Sequence, residues 1–417
     1  MIRIKDLNIL SLKKRHQIHD DILEKRFEII LPEIMKKAGI DCWLILSKEY
    51  NEDPVFKSLM PSKTLSAGRY SALLFFYDEK KNELEKFICT RSNIDFSKYY
   101  ELLKVGKEKN YLEVVCKKIK EKNPGRIALN YSRDIPLADG ISRSEYERVE
   151  KNLEDLKGRI VSSQELIILW METRISEEMN LYSNINHIAH GFIGEVFSEN
   201  SVIPGYTNTE DLEYLLWEKA INKGLEVWFP PDVNLQRNGE KNKFITGKIL
   251  PGDLLHCDYG IKYLDLCTDT QRVAYVRKNH QSKIPEFLDD LMKAGNKVQD
   301  ILARNIKVGL SGNQVLKRTL EECADMNLKA QIYSHPIGLY GHGAGPAIGM
   351  FDNQENVPVK GELKINDYTC YAMELNASKK IPEWGDGEYF IFLEQTVGIK
   401  NNEVIYFDGR QEEIIFI

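Results

Sequence analysis

The chain has 417 residues, of which 42% are hydrophobic and 29% are charged, and its formal net charge is −6. This length is sufficient for two domains. The lack of a basic excess argues against nucleic acid as the main partner, because no surplus of cations is available to neutralise phosphates. No apolar run approaches the ~20 residues that span a bilayer, so we expect no membrane partner.

Residues 1–170 are predicted to form a smaller N-terminal α/β domain. A long amphipathic segment from Lys14 to Lys37 predicts a helix, and the apolar runs CWLIL, SALLFFY, KFICT and RIALN predict strands. The segment SRSEYERVEKNLEDL predicts a further helix. Its serine start, followed three residues later by glutamate, is typical of a capping box.

Residues 171–417 are predicted to form a second domain, because a helical pattern breaks near Arg174 and a second long helix follows. A helix over TEDLEYLLWEKAINKG precedes strand-rich segments from Glu226 to Arg277, and helices over 284–325 precede strands over 331–416. The segment GKILPGDLLHCDYG is similar to KGELKINDYTCYAMELN. We therefore expect an α/β (α+β) domain with two pseudo-twofold halves.

Two aspartates lie in the stretch HCDYGIKYLDLCTDTQR, where strand interiors are predicted. Asp258 and Asp269 are eleven residues apart, and YGIK is predicted as the turn between them. Glu374 in YAMELNA and Glu394 in IFLEQTVGI occupy strand-like segments of the second half. A buried carboxylate is costly, and neighbouring carboxylates repel each other unless a cation lies between them. These acids therefore either face solvent or bind metal.

Two histidines lie between these acid pairs, in the glycine-dense segment SHPIGLYGHGAGPAIG. Because glycine allows close backbone approach, this segment can bring His335 and His342 near the acids; a simple tight turn is the alternative. Four carboxylates and one imidazole form a hard, oxygen-rich ligand set, which suits Mn²⁺, with Co²⁺, Fe²⁺ or Zn²⁺ as substitutes. Two divalent ions about 3.5–4 Å apart can activate water for hydrolysis.

The motifs HCDYG, CTDTQR, SHPIGLYGH, AMELNA and FLEQTV resemble, in this order, the Asp, Asp, His, Glu, Glu ligand set of metallopeptidase family M24. The resemblance covers about residues 175–410 and implies the pita-bread fold of methionine aminopeptidase, aminopeptidase P, prolidase and creatinase. The N-terminal residues resemble the additional domain of the last three. The metal ligands that the resemblance implies are Asp258, Asp269, His335, Glu374 and Glu394.

The same resemblance implies a role for each residue. It places Asp258 on one of two ions, Asp269 and Glu394 between the two, and His335 and Glu374 on the other. By the same resemblance, a metal-activated water would attack the scissile carbonyl, with Glu374 as the expected proton acceptor. His342 is expected outside the ligand set, as a hydrogen-bond donor to the substrate or the developing oxyanion.

The chain departs from the family pattern at several positions. The family has a further histidine before the first aspartate, but NLQRNGEKNKFITGK has none, which leaves Gln236 or Arg237 as candidates for substrate contacts. His256 lies two residues before Asp258 and is expected on the same strand face, as a packed or supporting histidine. Phe392 stands where prolyl-specific members have arginine, and MELNA replaces EPG.

Three functions remain open from the sequence. The first is a metal-dependent exopeptidase that cuts N-terminal Xaa-Pro bonds of short peptides. The second is a creatinase-like hydrolase or lyase acting on a small non-peptide molecule. The third is a binding protein on the same scaffold, which is disfavoured because all five ligands are retained. We expect the peptidase.

The cysteine pattern indicates a reducing compartment. The chain has seven cysteines and no CxxC pair, which argues against a disulfide framework or a thiolate zinc site. The N-terminal segment MIRIKDLNIL lacks a long apolar core followed by a small-residue cleavage site, so no secretory signal is predicted. We therefore expect a cytoplasmic protein, and the family resemblance implies a homodimer.

Overall fold

The computed structural model of the protein describes residues 9–106, 110–385 and 387–417. The prediction that no secretory signal is present falls largely on residues 1–8, outside the described ranges. The chain forms two compact units, one of Leu10–Met171 and one of Glu172–Ile417 together with Ile9. No helix within the described ranges is long and apolar enough to cross a membrane.

The first unit is an α/β structure built on one mixed six-stranded sheet. Its helices are α1 Leu12–Ala38, α2 Tyr111–Lys122, α3 Arg143–Asn152 and α4 Gln164–Glu172, the last ending at the unit boundary. Its strands are β1 Cys42–Lys48, β2 Tyr70–Asp78, β3 Glu83–Thr90, β4 Glu101–Leu102, β5 Ile127–Leu129 and β6 Ile160–Ser162. They are hydrogen-bonded in the order β4-β3-β2-β1-β5-β6. Each predicted helix and strand of this unit is confirmed.

The predicted capping box at the start of α3 forms only in part. Ser142 Oγ accepts a hydrogen bond from the backbone N–H of Glu145 at 3.3 Å, as expected. The Glu145 carboxylate instead contacts Lys48, Tyr111 and Arg148. A buried carboxylate is stabilised more by two cations and a phenol than by one backbone N–H, so tertiary contacts override the local motif.

Within the described residues, the second unit contains four α-helices, a nine-stranded sheet and a separate three-stranded sheet. The helices are α5 Ser176–Val196, α6 Thr209–Asn222, α7 Glu286–Asn305 and α8 Gly312–Asp325. The strands are β7 Glu226–Val227, β8 Asp232–Gln236, β9 Leu254–Tyr259, β10 Ile261–Tyr263, β11 Leu266–Cys267, β12 Thr270–Tyr275, β13 Lys329–Ile332, β14 His335–Pro336, β15 Thr369–Ile381, β16 Gly387–Lys400, β17 Glu403–Tyr406 and β18 Ile415–Phe416. In the nine-stranded sheet, six strands are hydrogen-bonded in the order β13-β15-β16-β12-β9-β8. The other three are β14, β17 and β18, which pair with β15, β16 and β12, respectively.

The second unit repeats one arrangement twice, as the sequence predicts. In the first half, α5 and α6 share an apolar core with odd-numbered residues of β9, such as Leu255 and Cys257. In the second half, α7 and α8 share a core with odd-numbered residues of β15 and β16, such as Met373 and Leu393. The two halves join where β12 pairs with β16. Because side chains alternate along a strand, the predicted acidic ligands Asp258, Glu374 and Glu394 lie on the faces of β9, β15 and β16 opposite to these core residues.

The predicted turn at YGIK, between the two aspartates, is wrong. Ile261–Tyr263 and Leu266–Cys267 form a small antiparallel hairpin that also pairs with β7. The turn lies at Leu264 and Asp265, which both have positive φ. Gly260 is required for close packing, since a Cβ there would lie 2.1 Å from Nε1 of Trp228.

Candidate metal centre

The strand register of the second unit places three carboxylates and one amide in a row. Asp258 on β9 lies opposite Gln271 on β12. Gln271 lies opposite Glu394 on β16, and Glu394 lies opposite Glu374 on β15. Asp232 on β8 extends the row because it lies opposite Asp258. Antiparallel pairing thus brings acids together from strands more than 100 residues apart.

The remaining two predicted ligands lie beside this row. Asp269 directly precedes β12, two residues before Gln271, so alternation places both on one face. His335 begins β14 and lies opposite Ala372, two residues before Glu374. The Nε2 atom of His335 is 3.5 Å from Oδ2 of Asp269 and 4.0 Å from Oε1 of Glu394.

These five side chains form two overlapping groups of possible ligand atoms. One group contains Asp269, His335 and Glu394, and the other contains Asp258, Glu374 and Glu394. Within each group, the ligand atoms all lie within 4.8 Å of one another. Glu394 belongs to both. This grouping differs from the expected division of ligands, since Glu374 lies with Asp258 rather than with His335.

The electrostatics of the cluster favour a bound cation. Oδ1 of Asp258, Oδ1 of Asp269 and both carboxylate oxygens of Glu394 are buried without a hydrogen-bond partner among the described residues. Burial, and then repulsion from Asp269, Glu374 and Asp258, raises the pKa of Glu394 well above its ordinary value. Burial likewise raises the pKa of the other three carboxyls. Oxygen atoms placed in this way fit a hard divalent ion.

The orientation of His335 also suits a metal ligand. Its Nδ1 atom lies 3.1 Å from the carbonyl oxygen of Pro336, to which it donates a hydrogen bond. This contact assigns the proton to Nδ1 and leaves the Nε2 lone pair directed at the carboxylates. Burial lowers the pKa of His335 to about 4, which keeps the ring neutral and able to bind a cation.

Two successive side-chain hydrogen bonds link Glu374 to Gln271 and Gln271 to His256. Nε2 of Gln271 donates to Oε1 of Glu374 at 2.6 Å. The amide oxygen of Gln271 then faces Nε2 of His256 at 2.9 Å, so His256 is the donor in that contact. His256 is therefore a supporting residue, as expected, and it acts through Gln271.

His342 lies next to the cluster but outside both ligand groups. Its ring is 4.7 Å from that of His335 and 5.1 Å from that of Trp228. Trp228 donates a hydrogen bond to the carbonyl of Thr268 and packs against Gly341, where a Cβ would lie 2.3 Å from the indole ring. The glycine-dense segment therefore holds His342 beside His335 because its backbone can approach Trp228 closely.

The structure does not bring Arg237 to the cluster. Its guanidinium forms a bidentate ion pair with Asp253, with N–O distances of 2.8 and 2.7 Å, and also donates to the carbonyl of Lys248. Arg237 directly follows the C-terminal end of β8, whereas Asp232 is the first residue of that strand. Gln236 is similarly occupied, since its amide exchanges two hydrogen bonds with the backbone of Phe390. Neither side chain is available for the substrate contacts expected from the sequence.

Two residues of the site were missed by sequence reasoning. Gln271 lies two residues after Asp269, so the alternation that placed His256 on the face of Asp258 also applies to it. Asp232, in the segment PPDVNLQ, joins the row only through the pairing of β8 with β9, for which the sequence holds no local signal.

Comparisons with known proteins bear on the family and the fold of this chain. The sequence model of "Metallopeptidase family M24" matches residues 180–401, more than half of the chain. No curated protein matches the chain. Three similar solved structures are the X-Pro aminopeptidase from Thermotoga maritima MSB8 (17% identity, TM-score 0.65), the Xaa-Pro dipeptidase from Bacillus anthracis (16%, 0.62) and the prolidase from Pyrococcus furiosus (15%, 0.58). They cover 92%, 96% and 91% of this chain, and each is matched over 100% of its own length.

Proposed function

We propose that this chain, which belongs to metallopeptidase family M24, is an exopeptidase that hydrolyses N-terminal Xaa-Pro bonds of short peptides with two divalent metal ions. The convergence of four carboxylates and one imidazole, with buried carboxylate oxygens that lack hydrogen-bond partners among the described residues, carries this proposal. The Xaa-Pro preference is supported by the names of the similar structures, which share the fold.

The five side chains of the two ligand groups are the residues that would hold the ions. Bound divalent ions supply a Lewis acid for the scissile carbonyl and lower the pKa of a water molecule. The oxygen-rich ligand set favours Mn²⁺, with Co²⁺, Zn²⁺ or Fe²⁺ as substitutes. Glu394 is the shared member, so its loss should affect both ion positions.

Glu374 is proposed as the proton acceptor of the reaction. Gln271 donates to its Oε1 atom, which fixes the carboxylate plane and leaves Oε2 for the ion or the proton. The His256 contact holds the Gln271 amide in the orientation that presents N–H to Glu374. These two residues therefore keep Glu374 as a hydrogen-bond acceptor, which is the state that a general base requires.

His342 is proposed to orient the substrate and to stabilise the oxyanion. Burial, and then the neighbouring His335 and Lys360, lower the pKa of His342. A neutral imidazole can donate one hydrogen bond to the carbonyl oxygen as negative charge develops on it. The contact with Trp228 restricts where the ring can point.

An activity panel tests this function. The Mn²⁺-loaded protein is assayed against Xaa-Pro dipeptides, longer Xaa-Pro peptides, matched peptides with alanine in place of proline, and creatine. We expect release of the N-terminal residue, fastest from the proline-containing peptides. Turnover of creatine alone would support the creatinase-like alternative, and equal turnover of proline and alanine peptides would refute the Xaa-Pro preference.

We also propose the cellular state and the domain roles. All seven cysteines are buried and free, which supports a reducing, cytoplasmic compartment. The proposed boundary near residue 170 is supported by the division between Met171 and Glu172, with residues 1–170 as the N-terminal domain and 171–417 as the catalytic domain. A homodimer is proposed from the family resemblance, and a monomeric mass by light scattering at micromolar concentration would refute it.

A further inference from the structure

One lysine of the second unit lies among four phenylalanine rings. The Nζ atom of Lys243 is 4.1 Å from the ring centroid of Phe390, 5.1 Å from Phe351, 5.3 Å from Phe244 and 5.6 Å from Phe392. We call these five residues the aromatic box. The face of a phenyl ring attracts a cation, so the rings hold the ammonium group in place.

The aromatic box adjoins the candidate metal centre. Phe392 lies two residues before Glu394 on β16, so the two side chains lie on the same face of the strand. Its ring is 5.1 Å from that of His256, which lies two residues before Asp258. Phe392 therefore lies in the next row of side chains after the carboxylates, and the rest of the box is grouped around it. Two strand residues span about 6.6 Å, which is also about the length of two residues of an extended bound peptide.

The box is open on one side and buried on the other. Phe392 is 2% exposed, whereas Phe244 and Phe351 are 39% and 46% exposed. Phe390 and Phe392 stack with ring centroids 5.7 Å apart, and Phe244 lies 5.3 Å from Phe392. The exposed rings of Phe244 and Phe351, next to the buried ring of Phe392, form an apolar surface that an apolar side chain of a peptide can contact.

The charge of Lys243 has no carboxylate partner within ion-pair distance among the described residues. Glu388, whose charge raises the pKa of Lys243, is itself paired with Lys329 at 2.5 Å and accepts a hydrogen bond from Ser378. Burial among the rings lowers the pKa of Lys243. A partly desolvated ammonium without a counter-ion is suited to bind an anionic group of a ligand, because a charge-assisted hydrogen bond would restore its lost solvation.

We propose, on the basis of the proposed function, that the aromatic box binds the residue on the leaving side of the scissile bond, with Lys243 paired to its free C-terminal carboxylate. A dipeptide carries one cation and one anion, and Lys243 repels the first and attracts the second. The rings contact the apolar side chain or ring of the same residue. The preferred substrate is thus a dipeptide with an apolar C-terminal residue, and Lys243 is a specificity-determining residue.

The test compares free acids with C-terminal amides. Ala-Pro, Ala-Phe and their amides are assayed with Mn²⁺-loaded wild type, Lys243→Met, Lys243→Arg and the control Lys241→Met, an exposed lysine of the same loop. Lys243→Met should lower kcat/KM for the acids ~10–100-fold, the range expected for a hydrogen bond to a charged group, and change the amides less than about twofold. Lys243→Arg should retain most of the acid preference, and Lys241→Met should match wild type.

A second variant separates the rings from the charge. Phe351→Ala should lower kcat/KM for Ala-Phe more than for Ala-Gly and should keep the preference for acids over amides. Equal losses on acids and amides in Lys243→Met, or no loss on either, would overturn the carboxylate assignment. If wild type hydrolyses no peptide, the proposed function fails, and calorimetric binding of Ala-Phe and its amide to wild type and Lys243→Met then tests the subsite alone. Equal binding of acid and amide by wild type would overturn it.

Discussion

Replacement of Glu394 by glutamine should have opposite effects on stability without and with metal. Glu394 is 1% exposed and belongs to both ligand groups, and its two carboxylate oxygens have no hydrogen-bond partner among the described residues. In metal-free protein its charge is repelled by the neighbouring acids. Two unit charges 4.8 Å apart, the upper separation within a group, repel by about 3.5 kcal/mol at an effective dielectric constant of about 20.

The sign of the pH dependence follows from the raised pKa of Glu394. A carboxyl whose pKa is higher in the folded state binds protons that the unfolded chain has released, so stability falls as pH rises from about 4 through the folded pKa. Protonation relieves part of the repulsion, so we expect Glu394→Gln to stabilise metal-free protein by about 1–3 kcal/mol at pH 8 and by little at pH 5. Saturating Mn²⁺ should stabilise wild type much more than the variant.

Thermal unfolding by fluorescence, in EDTA and in excess Mn²⁺, measures both effects. A gain of 1 kcal/mol corresponds to about 2–4 °C for a unit of this size. Glu403→Gln, on the exposed part of β17, is the matched control and should behave as wild type in both conditions. If Glu394→Gln lowers the melting temperature equally in EDTA and Mn²⁺, Glu394 is a structural residue and the electrostatic reasoning is wrong.

Four further substitutions test individual roles. Glu374→Gln should keep the fold and lower kcat ~10²–10⁴-fold, and near-normal turnover of a metal-saturated variant would refute its role as base. His342→Ala should lower kcat and kcat/KM together without loss of bound metal, as measured by steady-state kinetics and atomic absorption. Gln271→Leu should lower kcat about tenfold or more with KM nearly unchanged, because it removes a hydrogen bond to a charged group; an unchanged kcat would contradict this. Arg237→Met should leave KM unchanged but lower the free energy of unfolding in urea by about 1–3 kcal/mol, because the buried Asp253 carboxylate loses its ion-pair partner.

Much of the fold could be predicted because it depends on local patterns, whereas the alignment of the acids into one row depends on pairing between distant strands. Apolar runs marked most strands, and the order of the five acidic and histidine motifs indicated metallopeptidase family M24, which the family match confirms. Alternation within β9 and β16 is sufficient to place Asp258 and Glu394 on the faces turned away from the cores. The halves of the second unit were visible as a short internal similarity.

The surroundings of the ligands could not be predicted because they depend on register between distant strands. The contact of His256 with Gln271 requires the pairing of β9 with β12, which no local motif encodes. The aromatic box brings Lys243 into contact with Phe351 and Phe390, each of which lies more than 100 residues after Lys243 in the sequence. The expected role of Arg237 failed for a related reason, since its partner Asp253 follows a loop whose path the sequence does not specify.

The most direct test of the metal centre is a crystal structure of the protein soaked with Mn²⁺, with anomalous scattering measured near the manganese edge. We expect two anomalous peaks within the cluster of Asp258, Asp269, His335, Glu374 and Glu394, each with ligand atoms about 2.0–2.3 Å away. Glu394 should contact both ions. The absence of a peak at these residues, or ions bound elsewhere with Asp258 and Glu374 turned apart, would contradict it.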